Sequence, residues 1–142
     1  MAAKIRKAPL QEEPRRVHKK QELPDDLLRF SFRHIAVSDK FGHAHAEDAD
    51  GYLAQFLDRL QSVSAMKLSE FRSNKDKSLR AHMHDWSRTT ELGGYSHLTP
   101  QLRECEPWQF QLSANEHGRV HGILIDEVFY VVWLDPQHRL YA

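Results

Sequence analysis

The chain has 142 residues, 40% hydrophobic and 28% charged, with a formal net charge of +0. This size and balance suit a soluble globular unit that buries one core, and no apolar run approaches the roughly 20 residues of a membrane span. The single cysteine, Cys105, rules out an internal disulfide and fits a reducing, cytoplasmic compartment.

Charge is unevenly placed. Residues 1–24 carry seven Lys or Arg against three Glu, about +4, which leaves about −4 on the remainder. The same stretch holds Pro9, Pro14 and Pro24 and no apolar run to offset the entropy of ordering. Residues 1–26 are therefore expected to be a flexible basic arm, solvated or ordering on nucleic acid or a partner. Without an apolar stretch behind its basic residues it is not a secretory signal. Residues 27–142 are expected to form a single α+β domain.

Along that domain, Leu27–Val37 alternates as a strand, with Leu28, Phe30 and Phe32 on one face. Ser38–Asp50 reads as a polar loop. A helix is predicted from about Asp50 to Met66, with Leu53, Phe56, Leu57, Leu60 and Val63 as its apolar stripe and Asp48 or Asp50 as its cap. A second helix is predicted from Ser69 to about Trp86, and Ser87–Pro107 reads as irregular. Three strands close the chain: Trp108–Leu112, Arg119–Ile125 and Val128–Leu134, the last two joined by Asp126-Glu127. The run VFYVVWL is apolar on both faces and should be an inner strand covered on both sides. The order is an N-terminal strand, two helices and a C-terminal antiparallel sheet, an α+β fold.

The groups best suited to chemistry gather at this terminal sheet. Alternation places Arg119 and His121 on one strand face, and His138, Arg139 and Tyr141 follow the last strand. Cations, a histidine and a tyrosine are what RNA cleavage without metal or cofactor requires. A base takes the 2′-hydroxyl proton, cations stabilise the crowded phosphorane and an acid protonates the leaving oxygen. The competing reading is ordinary charge at a sheet edge. In SLRAHMHDW, a helix places Arg80 and His84 on one face as phosphate contacts and turns His82 elsewhere, whereas an extended segment could let His82 and His84 chelate. His43 and His45 with Glu47 and Asp48 are metal-ligand types, but no second pair is spaced to complete a site. Phosphate loops, CxxC, HExxH and GxSxG motifs are absent from the sequence.

Arg119-Val120, the apolar strand Val128–Leu134 and the ending His138-Arg139-Leu140-Tyr141 resemble the RelE/ParE toxin superfamily, as does the element order. That resemblance implies an mRNA endonuclease working on the ribosome, or a gyrase poison, held in check by an antitoxin. It matches Arg119 to a phosphate-contacting arginine, and His138 and Tyr141 to terminal functional positions. The expectation is a metal-independent ribonuclease with His138, Arg119, His121 and Tyr141 in catalysis and Arg80, Arg139 and His84 binding substrate. The alternative, from another class, is a noncatalytic module that binds a protein or nucleic acid through its arm and sheet edge.

Overall fold

The computed structural model describes residues 26–113 and 118–141. Residues 1–25, which hold nearly all of the expected basic arm, lie outside the described residues. Among the described residues the fold is α+β: a five-stranded, mostly antiparallel sheet with four short helices.

The first strand, β1, is only Arg29–Ser31 and pairs in parallel with the last strand. The expected strand over Leu27–Val37 is cut short because Phe32 turns out to solvent and is 47% exposed. Residues 38–50, expected to be loop, contain helix α1, His43–Asp48. Ala44, Ala46 and Glu47 favour helix, and Ala46 is buried against the sheet. Helix α2, Tyr52–Val63, falls within its predicted range, but neither aspartate caps it. Gly51 does so in a left-handed conformation, φ 74°, with no side-chain hydrogen bond, a geometry that favours glycine. The buried stripe is Tyr52, Phe56 and Val63, whereas Leu53 and Leu57 are exposed. Tyr52 sets this rotation by donating its hydroxyl to the Arg119 carbonyl at 2.7 Å.

The second predicted helix is largely absent. Helix α3 spans only Leu68–Ser73, opened by the Lys67 N–H donating to Glu70 Oε1 at 2.8 Å. Beyond it, Asn74 and Asp76 accept from the backbone two residues on, at 2.8 Å each. These local bonds compete with helix continuation. The chain then runs extended into β2, His82–Met83. The segment expected to be irregular holds a 3-10 turn, Trp86–Arg88, and helix α4, Pro100–Arg103, with proline in its first turn.

The C-terminal meander is present as predicted: β3 Glu106–Gln111, β4 Arg119–Ile125 and β5 Val128–Asp135. The Asp126-Glu127 turn closes without glycine because Asp126 takes φ 51°, which aspartate tolerates. Sheet order is β1-β5-β4-β3-β2, so β5 is an inner strand, as its two apolar faces require. A bulge interrupts β4–β5: His121 faces Trp133 and Gly122 faces Val131. The extra residue, Val132, therefore falls on the same side as Trp133. At Gly122 an added Cβ would lie 2.1 Å from the Tyr130 carbonyl oxygen, so only glycine fits.

The sheet has two unlike faces. Helices α1 to α3 cover one with Tyr52, Phe56, Val63 and Phe71 against Phe110, Val120, Leu124, Phe129 and Val131. Loops and α4 cover the other, where Phe41, Tyr95, Ile123, Val132, Trp133 and Leu140 form a smaller core.

Candidate active site

The chain end is folded back by one carboxylate. Asp135, the last residue of β5 and fully buried, accepts from the Arg139 N–H at 2.8 Å and the Leu140 N–H at 3.1 Å. Pro136 prevents the strand from continuing, and His138 adopts φ 55°. Leu140 then plugs the smaller core. Tyr141 is thereby returned to β2, where its hydroxyl lies 2.7 Å from His84 Nδ1.

This reversal closes a cleft of about 700 Å³. Its walls bring together Arg119 at the start of β4, Arg80 and Lys77 from the turn before β2, Arg88 from the 3-10 turn, and His138 and Tyr141 from the chain end. Lys75, His82 and Gln109 complete the polar wall. Among the described residues, five Lys or Arg thus face the cleft with one carboxylate, Asp76. That carboxylate is already engaged by the Ser78 N–H, which holds it below its ordinary pKa. Arg119 is buried to 8% exposure, and its pKa is lowered by burial and by the nearby Arg80 guanidinium, against the Asp135 charge. Two cations held together in a half-desolvated wall favour an anion between them.

Behind Tyr141 lies a buried polar chain. His84 Nε2 is 3.1 Å from His121 Nδ1, and His121 Nε2 is 2.8 Å from Asp135 Oδ2. Burial, then the neighbouring His121 and His82, push His84 down to about 2. Burial lowers His121 as well, against the Asp135 hydrogen bond and charge that would raise it. Burial opposes ionisation of Asp135, but its bonds from His121 and from the Arg139 and Leu140 N–H groups outweigh this and hold its pKa down. These directions favour uncharged imidazoles at His84 and His121 and a carboxylate at Asp135.

Four of the seven residues expected at the site therefore share one cleft: Arg80, Arg119, His138 and Tyr141. Three do not line it. His121 is 0% exposed, neither it nor His84 is among the residues that line the cleft, and both sit behind Tyr141. Arg139 bonds Gln137 Oε1 at 2.7 Å and borders a small pocket with His45 and Lys40. Conversely, His82 joins the cleft because its segment is extended rather than helical. Its Nδ1 donates to the Met83 carbonyl and its Nε2 accepts from the Gln109 amide, both at 2.9 Å. Sequence reasoning missed Asp135, Lys75, Lys77 and Arg88. Asp135 carried a legible signal: an acid before proline at a strand end, three residues ahead of the His-Arg-Leu-Tyr ending. On α1, His43 is exposed and His45 half-buried, and among the described residues no group of three or more His, Cys, Asp or Glu is placed to hold a metal.

Comparison with protein families, with curated proteins and with solved structures finds no match to this chain. Among the described residues no helix is long and apolar enough to cross a membrane. The cleft offers what a phosphodiester needs: clustered cations, a histidine, and a tyrosine tied to a buried histidine pair.

Proposed function

We propose that the protein is a metal-independent endoribonuclease of RelE-like type that binds RNA in the cationic cleft. The observation that carries this reading is the concentration, among the described residues, of five Lys or Arg against one carboxylate in a cleft of a chain whose net charge is +0. Such a local field binds a polyanion where the whole protein would not. Arg119 and Arg80 hold the scissile phosphate and stabilise the charge on its oxygens in the transition state. Tyr141 and His138, with ring centres 6.1 Å apart, flank it as proton-transferring groups. The 2′-oxygen attacks phosphorus, its proton leaves to the protein, the P–O5′ bond breaks, and the 5′-oxygen takes a proton. The products are a 2′,3′-cyclic phosphate and a 5′-hydroxyl end.

As a toxin such an enzyme is held in check by a protein partner. Phe32, Leu53 and Leu57 are 47%, 44% and 64% exposed, and this apolar surface supports protein binding. It equally favours the second reading, a binding module without catalysis.

The test is incubation of the protein with labelled RNA and with DNA of the same sequence, in the presence of a chelator. The expected result is RNA cut to cyclic-phosphate ends, DNA left intact, and loss of cleavage in Arg119→Ala. Induced expression should arrest growth, and Arg119→Ala/His138→Ala should relieve it. RNA bound but uncut would replace the enzyme with the binding module, and no RNA binding would overturn both uses of the cleft.

A further inference from the structure

We propose that Asp135, His121 and His84 form a buried proton relay that draws the Tyr141 hydroxyl proton inward, making Tyr141 the proton acceptor of the cleft. This rests on the ribonuclease reading and adds to it three positioning residues that touch no substrate.

The direction of the relay follows from hydrogen-bond accounting. An ionised carboxylate only accepts, so His121 must present Nε2–H to Asp135 Oδ2 across 2.8 Å. A neutral imidazole that donates at one nitrogen accepts at the other. His121 Nδ1 therefore accepts from His84 Nε2–H across 3.1 Å. By the same rule His84 Nδ1 accepts from the Tyr141 hydroxyl across 2.7 Å. One charge thus orients three hydrogen bonds, and every proton points toward Asp135. Tyr141 Oη also accepts from the Asp85 backbone N–H, beside the Asp85 carboxylate and the Arg88 guanidinium, so one phenol lone pair remains for a substrate in the cleft that the side chain lines.

The step balances within the chain. The substrate 2′-hydroxyl gives its proton to Tyr141 Oη. The Tyr141 proton moves to His84 Nδ1, and the His84 Nε2 proton moves to His121 Nδ1. His121 becomes an imidazolium beside the Asp135 carboxylate, which stays ionised, the division of roles seen when a buried aspartate supports a histidine base. All three bonds then point outward: His121 Nδ1–H donates to His84, His84 Nδ1–H donates to Tyr141, and the Tyr141 O–H faces the substrate. His138, on the other side of the phosphate, gives its proton to the leaving 5′-oxygen. After product release the wire runs backward: Tyr141 gives up the proton it gained, which reaches His138 through water, so no net charge is moved into the protein over the cycle.

The surroundings suit a neutral resting wire. His121 on β4 is faced by Asp135 on β5, by His84 and His82 from the β2 segment and by Arg119 on its own strand, with the Phe41 ring 6.1 Å away. His84 packs between Trp86 and Tyr141, with ring centres 4.8 and 5.6 Å away. Burial on this side keeps both imidazoles uncharged until a proton is delivered.

The test is a long-range ¹⁵N–¹H spectrum of the histidine-labelled full chain at pH 7, read beside RNA-cleavage kinetics of the wild type, Asp135→Asn and His84→Gln. The expected spectrum shows His84 and His121 as neutral Nε2–H tautomers. Both variants should lower kcat by about 100-fold or more, the usual scale of general base catalysis, with KM changed less than about threefold. An Nδ1–H tautomer or an imidazolium at either position would overturn the relay, as would wild-type kcat in a folded variant. If Asp135→Asn fails to fold, His84→Gln decides the kinetic arm. Wild-type protein that cuts no RNA yet shows both Nε2–H tautomers would overturn the ribonuclease reading and leave the inward-pointing wire standing. Cleavage with the wrong tautomers would do the reverse.

Discussion

The two faces of the sheet are built from alternate residues of the same strands and do opposite things. On the helix-covered face, β4 presents Val120 and Leu124 to a core of Phe71, Phe110 and Phe129. On the other, it presents Arg119, His121 and Ile123, and the cover is loop, α4 and the returning chain end. The first face is apolar. The second buries a carboxylate and two histidines that a stability-only design would replace with hydrocarbon.

Substitutions that separate the faces test the comparison, and the largest effects belong to the helix side. Phe129→Ala removes a ring packed on Phe30, Phe71 and Phe110, at centre distances of 5.9, 6.1 and 5.1 Å. It should cost about 3–5 kcal/mol in urea unfolding while the histidine tautomers of the remaining folded protein stay unchanged. Gly122→Ala, which drives a methyl into the Tyr130 carbonyl, should be of similar size.

Next comes acid. His84 and His121 have pKa values lowered by burial, so below about pH 6.5 the unfolded chain takes up protons that the folded protein refuses. Stability is fully present above that value and falls as pH drops, by about 1.4 kcal/mol per pH unit for each histidine that stays neutral. The Asp135 pKa is also lowered, and its contribution is lost only further down, as pH falls below about 4. Unfolding curves from pH 7 to 4 should show a slope of up to two protons, and His84→Gln should remove one. A flat profile would mean that the buried chain titrates freely, and the two faces would then differ less than their residues suggest.

Smaller effects sharpen the assignment of the cleft. Arg119→Ala should weaken RNA binding by about 10- to 100-fold, the scale of a charge-assisted phosphate contact, and reduce the salt dependence by about one unit of slope. Arg139→Ala, outside the cleft, should change RNA affinity less than about twofold in the same filter-binding assay. A larger effect would extend the phosphate track around the chain end. Smallest of all, Arg29→Ala breaks an exposed 2.9 Å pair with Glu127 and should cost under about 1 kcal/mol.

The sequence by itself determined the meander. Period-two alternation in Arg119–Ile125 and a doubly apolar Val128–Leu134 state which residues face which side, because strand geometry is local. It also placed Arg119 and His121 on a common face. Tertiary structure decided the rest. Whether residues 74–86 became helix or strand depended on Asn74 and Asp76 bonding their neighbours' N–H groups and on an open edge at β3 for His82 and Met83 to pair with. Which side of α2 was buried depended on a tyrosine bonding a carbonyl 67 residues away. The polar chain from Asp135 through His121 and His84 to Tyr141 joins residues from β5, β4, the β2 segment and the returned terminus. No spacing along the sequence encodes it. It exists because a carboxylate at the end of one strand bonds both a histidine on its neighbour and the backbone that brings Tyr141 back.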